Sequence, residues 1–230
     1  MAEMQTDWHE FASRDELAEA LSKKIAARLA SAIAERGAAT LAVSGGTTPG
    51  LFFRALSRER LDWGKVTVTL VDERNVPPDS PRSNERLVTE NLLQNAAATA
   101  KFIGLYAAGN LQDATRGASN ALERALPLDA VVLGMGTDGH TASFFPDADN
   151  LDELLDPASS ARVLAVHAPS GGEPRLTLTL ARIVEAGFIA LHIEGPEKRA
   201  VLETALQGAA HLPIRAVFDH ARQVKVFWTP

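Results

Sequence analysis

The chain has 230 residues, 46% of them hydrophobic, a formal net charge of −6 and no cysteine. That composition excludes a disordered chain, lacks the electrostatic footprint of a nucleic-acid binder, and removes disulfides, thiolate nucleophiles and Cys-based zinc sites. No run approaches the roughly 18 apolar residues of a membrane span and the first ten residues lack the basic-then-apolar pattern of a signal peptide, so a cytoplasmic protein without nucleic-acid or membrane partners is expected.

Ser13-Arg14-Asp15-Glu16 fits a capping box, with Ser13 accepting from a first-turn N–H and Glu16 reaching back. Leu17, Leu21, Ile25, Leu29 and Ile33 then recur every four residues, which predicts one apolar stripe on a helix ending near Gly37. Thr40-Leu41-Ala42-Val43 reads as a short buried strand. Pro49 suits the first turn of a helix running through Leu51, Phe52 and Leu56. The β-branched run Val66 to Val71 reads as a strand. A Pro-rich loop over 76–82 leads to Ser83 or Asn84 as the cap of a helix through Leu92. A short strand near Phe102-Ile103 and a helix from about Gln112 to Leu126 precede the apolar run Ala130-Val131-Val132-Leu133. Segment 147–159 is polar and reads as irregular. Arg162 to His167, Arg175 to Leu180 and Phe188 to Ile193 read as extended. Pro196 to Gln207 reads as a helix with Pro196 in its first turn, and Val224 to Trp228 as a closing strand. Parallel strands need crossovers, and helices supply them. The alternation therefore predicts one α/β domain over 1–230, a mostly parallel sheet covered on both faces in three layers. Region 147–174 is the place for a small subdomain or a flap.

In open α/β sheets the ligand crevice lies at the carboxyl ends of the strands. After the strand at 130–133 the chain reads Gly134-Met135-Gly136-Thr137-Asp138-Gly139-His140-Thr141-Ala142-Ser143. His140 is a candidate catalytic base; the alternative is a hydrogen-bonded histidine in a glycine turn. Ser44-Gly45-Gly46-Thr47-Thr48-Pro49 joins a strand to a helix. Glycines let the backbone approach an anion and a helix start offers free N–H groups, so this is either a phosphate site or a tight βα turn. This junction carries neither the Walker ending nor the Gly-x-Gly-x-x-Gly fingerprint. Asp72-Glu73-Arg74 follows the next strong strand. Carboxylates there are costly to bury unless paired. Asp72 and Glu73 either touch substrate or brace the loop through an internal salt bridge, and Arg74 can hold a phosphate or carboxylate in a bidentate grip. Arg86 either joins that pocket or lies on a solvated helix face. Arg175, heading an alternating strand, and Lys198, in a helix's first turn, are anion clamps or surface charges. His9, His167, His192, His211 and His220 show no metal-ligand spacing and read as structural or surface residues.

Ser44 to Pro49, then Asp72-Glu73-Arg74-Asn75-Val76 with Ser83-Asn84, then Gly134 through His140 to Pro146, resemble in this order the 6-phosphogluconolactonase family. The Arg175 strand and Gly195-Pro196-Glu197-Lys198 extend the resemblance over about residues 10–230. The wider superfamily includes glucosamine-6-phosphate deaminase/isomerase and has a Rossmann-like α/β sandwich. The resemblance implies a phosphate cradle at Ser44, Gly45, Gly46, Thr47 and Thr48, with Arg175 and Lys198 as basic phosphate ligands. It implies His140 as the base, Asp138 as a pocket aspartate, and Arg74 as a substrate-facing arginine; Asp72 is grouped with the substrate-binding residues. The deaminase motif carries a glutamate just before its proline, which supports its histidine in sugar ring opening. Here that position is Phe145, which cannot orient or charge-stabilise an imidazole as a carboxylate does.

The expected reaction is hydrolysis of 6-phospho-D-glucono-1,5-lactone to 6-phosphogluconate in the oxidative pentose phosphate pathway. Neutral His140 would activate water, Arg74 would stabilise the carbonyl oxygen, and no metal or organic cofactor would be needed. The expected assembly is a monomer or weak homodimer. Two rivals stand beside this reading: an amino-sugar-phosphate deaminase/isomerase, which Phe145 disfavours, and a non-catalytic sugar-phosphate sensor, which the intact Asp138-Gly139-His140 disfavours.

Overall fold

A computed structural model describes residues 6–208 and 212–230, so His211 lies outside the described residues. Strand β1 (Asp7–Glu10) precedes helix α1 (Arg14–Arg36). The capping box forms: Ser13 Oγ accepts from the Glu16 N–H at 3.2 Å, and the Glu16 carboxylate reaches back to the Ala12 N–H at 3.2 Å. The helix stops at Gly37, whose φ of 78° lets its own N–H bond the Ile33 carbonyl. Leu17, Leu21, Ile25 and Leu29 are fully buried, each contributing about 1.5–3 kcal/mol of transfer free energy.

Strand β2 (Ala39–Val43) is buried at every position, as a parallel strand covered on both faces must be. Helix α2 (Gly50–Leu56) follows, with Pro49 one place earlier than expected, as its N-cap. Then come β3 (Val66–Leu70), β4 (Asp72–Arg74), α3 (Asn84–Asn91) capped by Ser83, β5 (Lys101–Ile103) and α4 (Leu111–Leu122). The helix expected to reach Leu126 ends at Leu122 and tightens into a 3₁₀ turn over Glu123–Ala125. Strand β6 (Ala130–Leu133) leads into the glycine-rich segment. Within the stretch read as irregular, Leu151–Leu154 forms a single helical turn, α5. Strands β7 (Val163–Val166) and β8 (Arg175–Leu178), helix α6 (Leu180–Val184), strand β9 (Ile189–Glu194), helices α7 (Pro196–Leu206) and α8 (Ile214–His220), and strand β10 (Lys225–Thr229) complete the described chain.

Seven strands form one all-parallel sheet in the order β1-β10-β9-β6-β2-β3-β5. Helices flank it. The chain leaves β2 towards β3 and β5 on one side, then crosses over to β6 on the other. The exits of β2 and β6 therefore diverge, and a crevice opens at such a switch point. The two glycine segments, 44–48 and 134–140, leave from these two strands.

One expectation needs correction. Strands β7 and β8 do not join the main sheet; with β4 they make a second, antiparallel sheet in the order β4-β8-β7. The chain passes between sheets at Val71. Its N–H donates to the Val43 carbonyl at 2.9 Å, and its own carbonyl accepts from the Leu178 N–H at 2.8 Å. Leu180, expected to be extended, begins α6. No helix among the described residues is long and apolar enough to cross a membrane.

Candidate active site

The segment after β6 is a cross-braced loop. Thr141 Oγ1 donates to the Gly134 carbonyl at 2.8 Å, the Gly136 N–H to the His140 carbonyl at 2.9 Å, and the Gly139 N–H to the Gly136 carbonyl at 3.0 Å. The Gly139 carbonyl accepts the Ile214 N–H at 3.0 Å, so α8 ties the loop from outside. Ala142 sits at φ 51°, a left-handed conformation that costs an L-residue about 1–2 kcal/mol. Its neighbours hold it there: Ser143 Oγ donates to Asp72 Oδ2 at 2.6 Å. The loop presents a carboxylate–imidazole pair. Asp138 Oδ1 lies 2.5 Å from His140 Nδ1 and also accepts the His140 backbone N–H at 3.1 Å. A carboxylate accepts from Nδ1–H, which leaves the imidazole lone pair on Nε2. A methyl group at Gly136 would overlap both the His140 ring and the Asp138 carboxylate, so the pair requires glycine there.

Strands β4 and β8 set Arg74 directly across from Arg175. Like charges in that relation repel. Compensation is partial: Asp72 Oδ2 is 3.7 Å from Arg175 Nη1. Arg74 Nη1 donates to the Arg82 carbonyl at 2.6 Å and to Asn84 Oδ1 at 3.2 Å, and Arg175 Nη2 donates to the Gly171 carbonyl at 3.0 Å. Among the described residues, the Nε groups of both arginines are buried without a partner. Burial pushes the Arg175 guanidinium below its usual value, while Asp72 pulls the other way.

Glu73 turns out to brace the backbone and not a cation. It is fully buried and accepts from the Arg74, Asn84 and Glu85 N–H groups, each at 2.8 Å, and from Ser83 Oγ at 3.0 Å. Burial raises its carboxyl above the usual range, against the lowering effect of those bonds. Three of the four partners, Ser83, Asn84 and Glu85, are donors at the start of α3, so Glu73 braces the loop through hydrogen bonds and not through a salt bridge. Asn84, fixed by this clamp, donates from Nδ2 to the Asp72 carbonyl at 2.8 Å. Its amide fills the space beside Gly45, where a methyl group would overlap it.

These parts surround one cavity of about 210 Å³. Ser44, Gly45, Gly46, Thr47 and Thr48 line it from the β2–α2 junction, Asp72 and Arg74 from β4, and Arg175 from β8. His140 lines it from the glycine loop and Lys198 from the first turn of α7. Asp138 is off the wall, held behind His140 by the bond to Nδ1. Burial pushes the Lys198 ammonium below its usual value, opposed by Glu194 and Glu197. The Ser44 hydroxyl is buried and has no partner among the described residues. Arg86 stays outside: it bonds Glu90 at 2.8 Å and the Asp79 carbonyl at 2.9 Å on an exposed helix face. Two polar wall residues were not among the site residues read from the sequence. Asn84 had only a capping role there, and His192, read as structural or surface, is 3% exposed and lines the cavity from β9. The signal for His192 was a lone polar residue inside an apolar strand, six positions before Lys198.

Residues 12–228 match the protein family described as glucosamine-6-phosphate isomerases/6-phosphogluconolactonase. A relative from Mesorhizobium japonicum, named 6-phosphogluconolactonase, is 61% identical over 97% of this chain and 95% of its own. Another of that name from Rhizobium meliloti is 51% identical over 99% of this chain and 100% of its own. The crystal structure of a 6-phosphogluconolactonase from Shewanella baltica superposes with a TM-score of 0.94 at 39% identity, covering 98% of each chain. A shared parallel sheet, near-complete coverage and this level of identity make the chain a member of the glucosamine-6-phosphate isomerase/6-phosphogluconolactonase family.

Proposed function

We propose that the chain hydrolyses 6-phospho-D-glucono-1,5-lactone to 6-phosphogluconate, the lactone-opening step of the oxidative pentose phosphate pathway, and that it works as one α/β unit. One observation carries this reading. Two arginines face each other across β4 and β8, both Nε groups unpartnered among the described residues, on the same cavity as an imidazole engaged by Asp138 at Nδ1 alone among those residues. An anionic substrate relieves the arginine repulsion, and the imidazole supplies a base beside it.

In this mechanism the phosphate docks on the backbone and hydroxyls of Ser44 to Thr48, with Arg175 and Lys198 as counter-charges. His140 Nε2 takes a proton from water as its oxygen attacks C1. The carbonyl oxygen becomes an oxyanion, stabilised by Arg74. The tetrahedral intermediate collapses by breaking the bond from C1 to the ring oxygen, and that oxygen takes the proton from His140. Asp138 keeps the proton on Nδ1 and steadies the imidazolium between the two transfers. Phe145, packed against His140 at 4.4 Å between ring centroids, stands where the deaminase motif has its glutamate. It offers no carboxylate for sugar ring opening.

A coupled assay on freshly generated lactone, corrected for spontaneous opening, tests the activity directly; a rate no faster than the blank overturns it. Arg175→Ala should raise KM about 10- to 100-fold, the loss of a charge-assisted hydrogen bond, and an unchanged KM would remove Arg175 from the phosphate end. Lys198 gives a pH test. Its pKa is lowered by burial, so its charge is lost at a lower pH than an ordinary lysine loses it. Calorimetric affinity for 6-phosphogluconate should therefore weaken with rising pH before an ordinary lysine would lose its charge, and Lys198→Arg should abolish that weakening. An equal alkaline loss in the arginine variant would place its cause elsewhere.

A further inference from the structure

Phe145 is 4% exposed and touches two groups of the cavity at once. Its ring centroid is 4.4 Å from that of His140 at an interplanar angle of 32°, and the Arg175 guanidinium carbon stands 4.9 Å over the same ring. Gly171 closes the edge of this stack. A Cβ there would lie 3.2 Å from Phe145 Cε2 and 3.5 Å from Arg175 Nε, and the Gly171 carbonyl already accepts from Arg175 Nη2 at 3.0 Å. Arg175 is thus restrained by one carbonyl, one aromatic face and a carboxylate at 3.7 Å, with Nε unpartnered. Its fork is incompletely filled, and a dianion completes it.

We propose that the substrate's phosphate is an activator as well as an anchor: by seating Arg175 against Phe145 it fixes the ring that in turn fixes the His140 imidazole. The inference rests on the lactonase reading above. Close packing transmits a shift of the guanidinium to the ring and from the ring to the imidazole, because no slack separates them. Binding energy from a non-reacting part of the substrate is then spent at the reacting carbon. Phe145 is a positioning residue in this scheme. It holds the plane of a base that Asp138 engages at Nδ1.

The test cuts the substrate in two. Unphosphorylated glucono-1,5-lactone is supplied with and without inorganic phosphite dianion, and spontaneous and buffer-catalysed opening is subtracted. Phosphite should raise the kcat/KM of the wild-type chain about tenfold, equivalent to about 1.4 kcal/mol. Phe145→Leu keeps apolar bulk without a ring face; its activation ratio should fall to near one while phosphite still competes with 6-phosphogluconate for the cavity. Phe145→Tyr should restore the ratio. Should the leucine variant fail to fold, Arg175→Lys serves: it keeps the charge, loses the planar stack and should also lose activation. A purely structural role for Phe145 would lower melting temperature and basal rate without changing the ratio. The proposal is overturned by a wild-type chain that binds phosphite without a rise in turnover, or by Phe145→Leu activated as strongly as wild type. A chain inert even towards the phosphorylated lactone defeats the lactonase reading; one active on it but flat towards phosphite defeats only this inference.

Discussion

Replacing His140 by alanine should lower kcat by about 10²- to 10⁴-fold, the range one positioned general base supplies. The lost group is the free Nε2 of an imidazole whose Nδ1 is engaged by Asp138 at 2.5 Å. Arg74, Arg175, Lys198 and the Ser44–Thr48 loop are untouched by the substitution, so the affinity for 6-phosphogluconate should remain within a few-fold of wild type. The fold should also tolerate the change. His140 and Asp138 are both partly exposed, so water can take up the carboxylate that the imidazole leaves. The measurement is steady-state turnover paired with calorimetric binding of the product. Wild-type turnover in this variant would exclude His140 as the base; lost turnover together with lost binding would instead point to collapse of the loop.

Gly136→Ala should cost turnover about 10²-fold without altering the residues that do the chemistry, because a displacement of about 1 Å in a reacting group has that effect. The added methyl group overlaps both His140 and Asp138. Gly136 is absent from the glycines held at positive φ, so alanine fits its backbone and the penalty is local steric displacement. The melting temperature should change little and KM should stay near wild type, while kcat falls. Retained kcat would mean that the loop yields and that the carboxylate–imidazole distance is not critical.

The main parallel sheet was legible because its inner strands are β-branched or apolar runs. Val66 to Leu70 and Ala130 to Leu133 cannot be mistaken for surface. Strand β1 was not. Asp7-Trp8-His9-Glu10 has no apolar run; it is an edge strand that pairs with β10 among the described strands. Strand β4 was hidden for a different reason: three charged residues become a strand only through long-range pairing with Thr177, Leu176 and Arg175. Hence the facing of Arg74 and Arg175, the relation that says most about an anion, could not be read from spacing. The glycine motifs and His140 were visible because they fall at strand exits, and Arg74, Arg175 and Lys198 because they sit at the ends of strands or the start of a helix. Glu73 illustrates the limit. A carboxylate buried beside a helix start and a carboxylate aimed at substrate look identical in one dimension, and only the donors around it separate them.

The crossing at Val71 has a bearing on how this scaffold can be remodelled. That single peptide is bonded to the central sheet on one side and to β8 on the other, so the arginine-bearing wall is welded to the frame that also carries the glycine loops. Strand β7, by contrast, is attached to that wall through β8 alone. New sequence can therefore be grafted into the exposed turn at 156–160 with the proton-handling apparatus left in register, whereas any insertion near Val71 would dislocate both halves together.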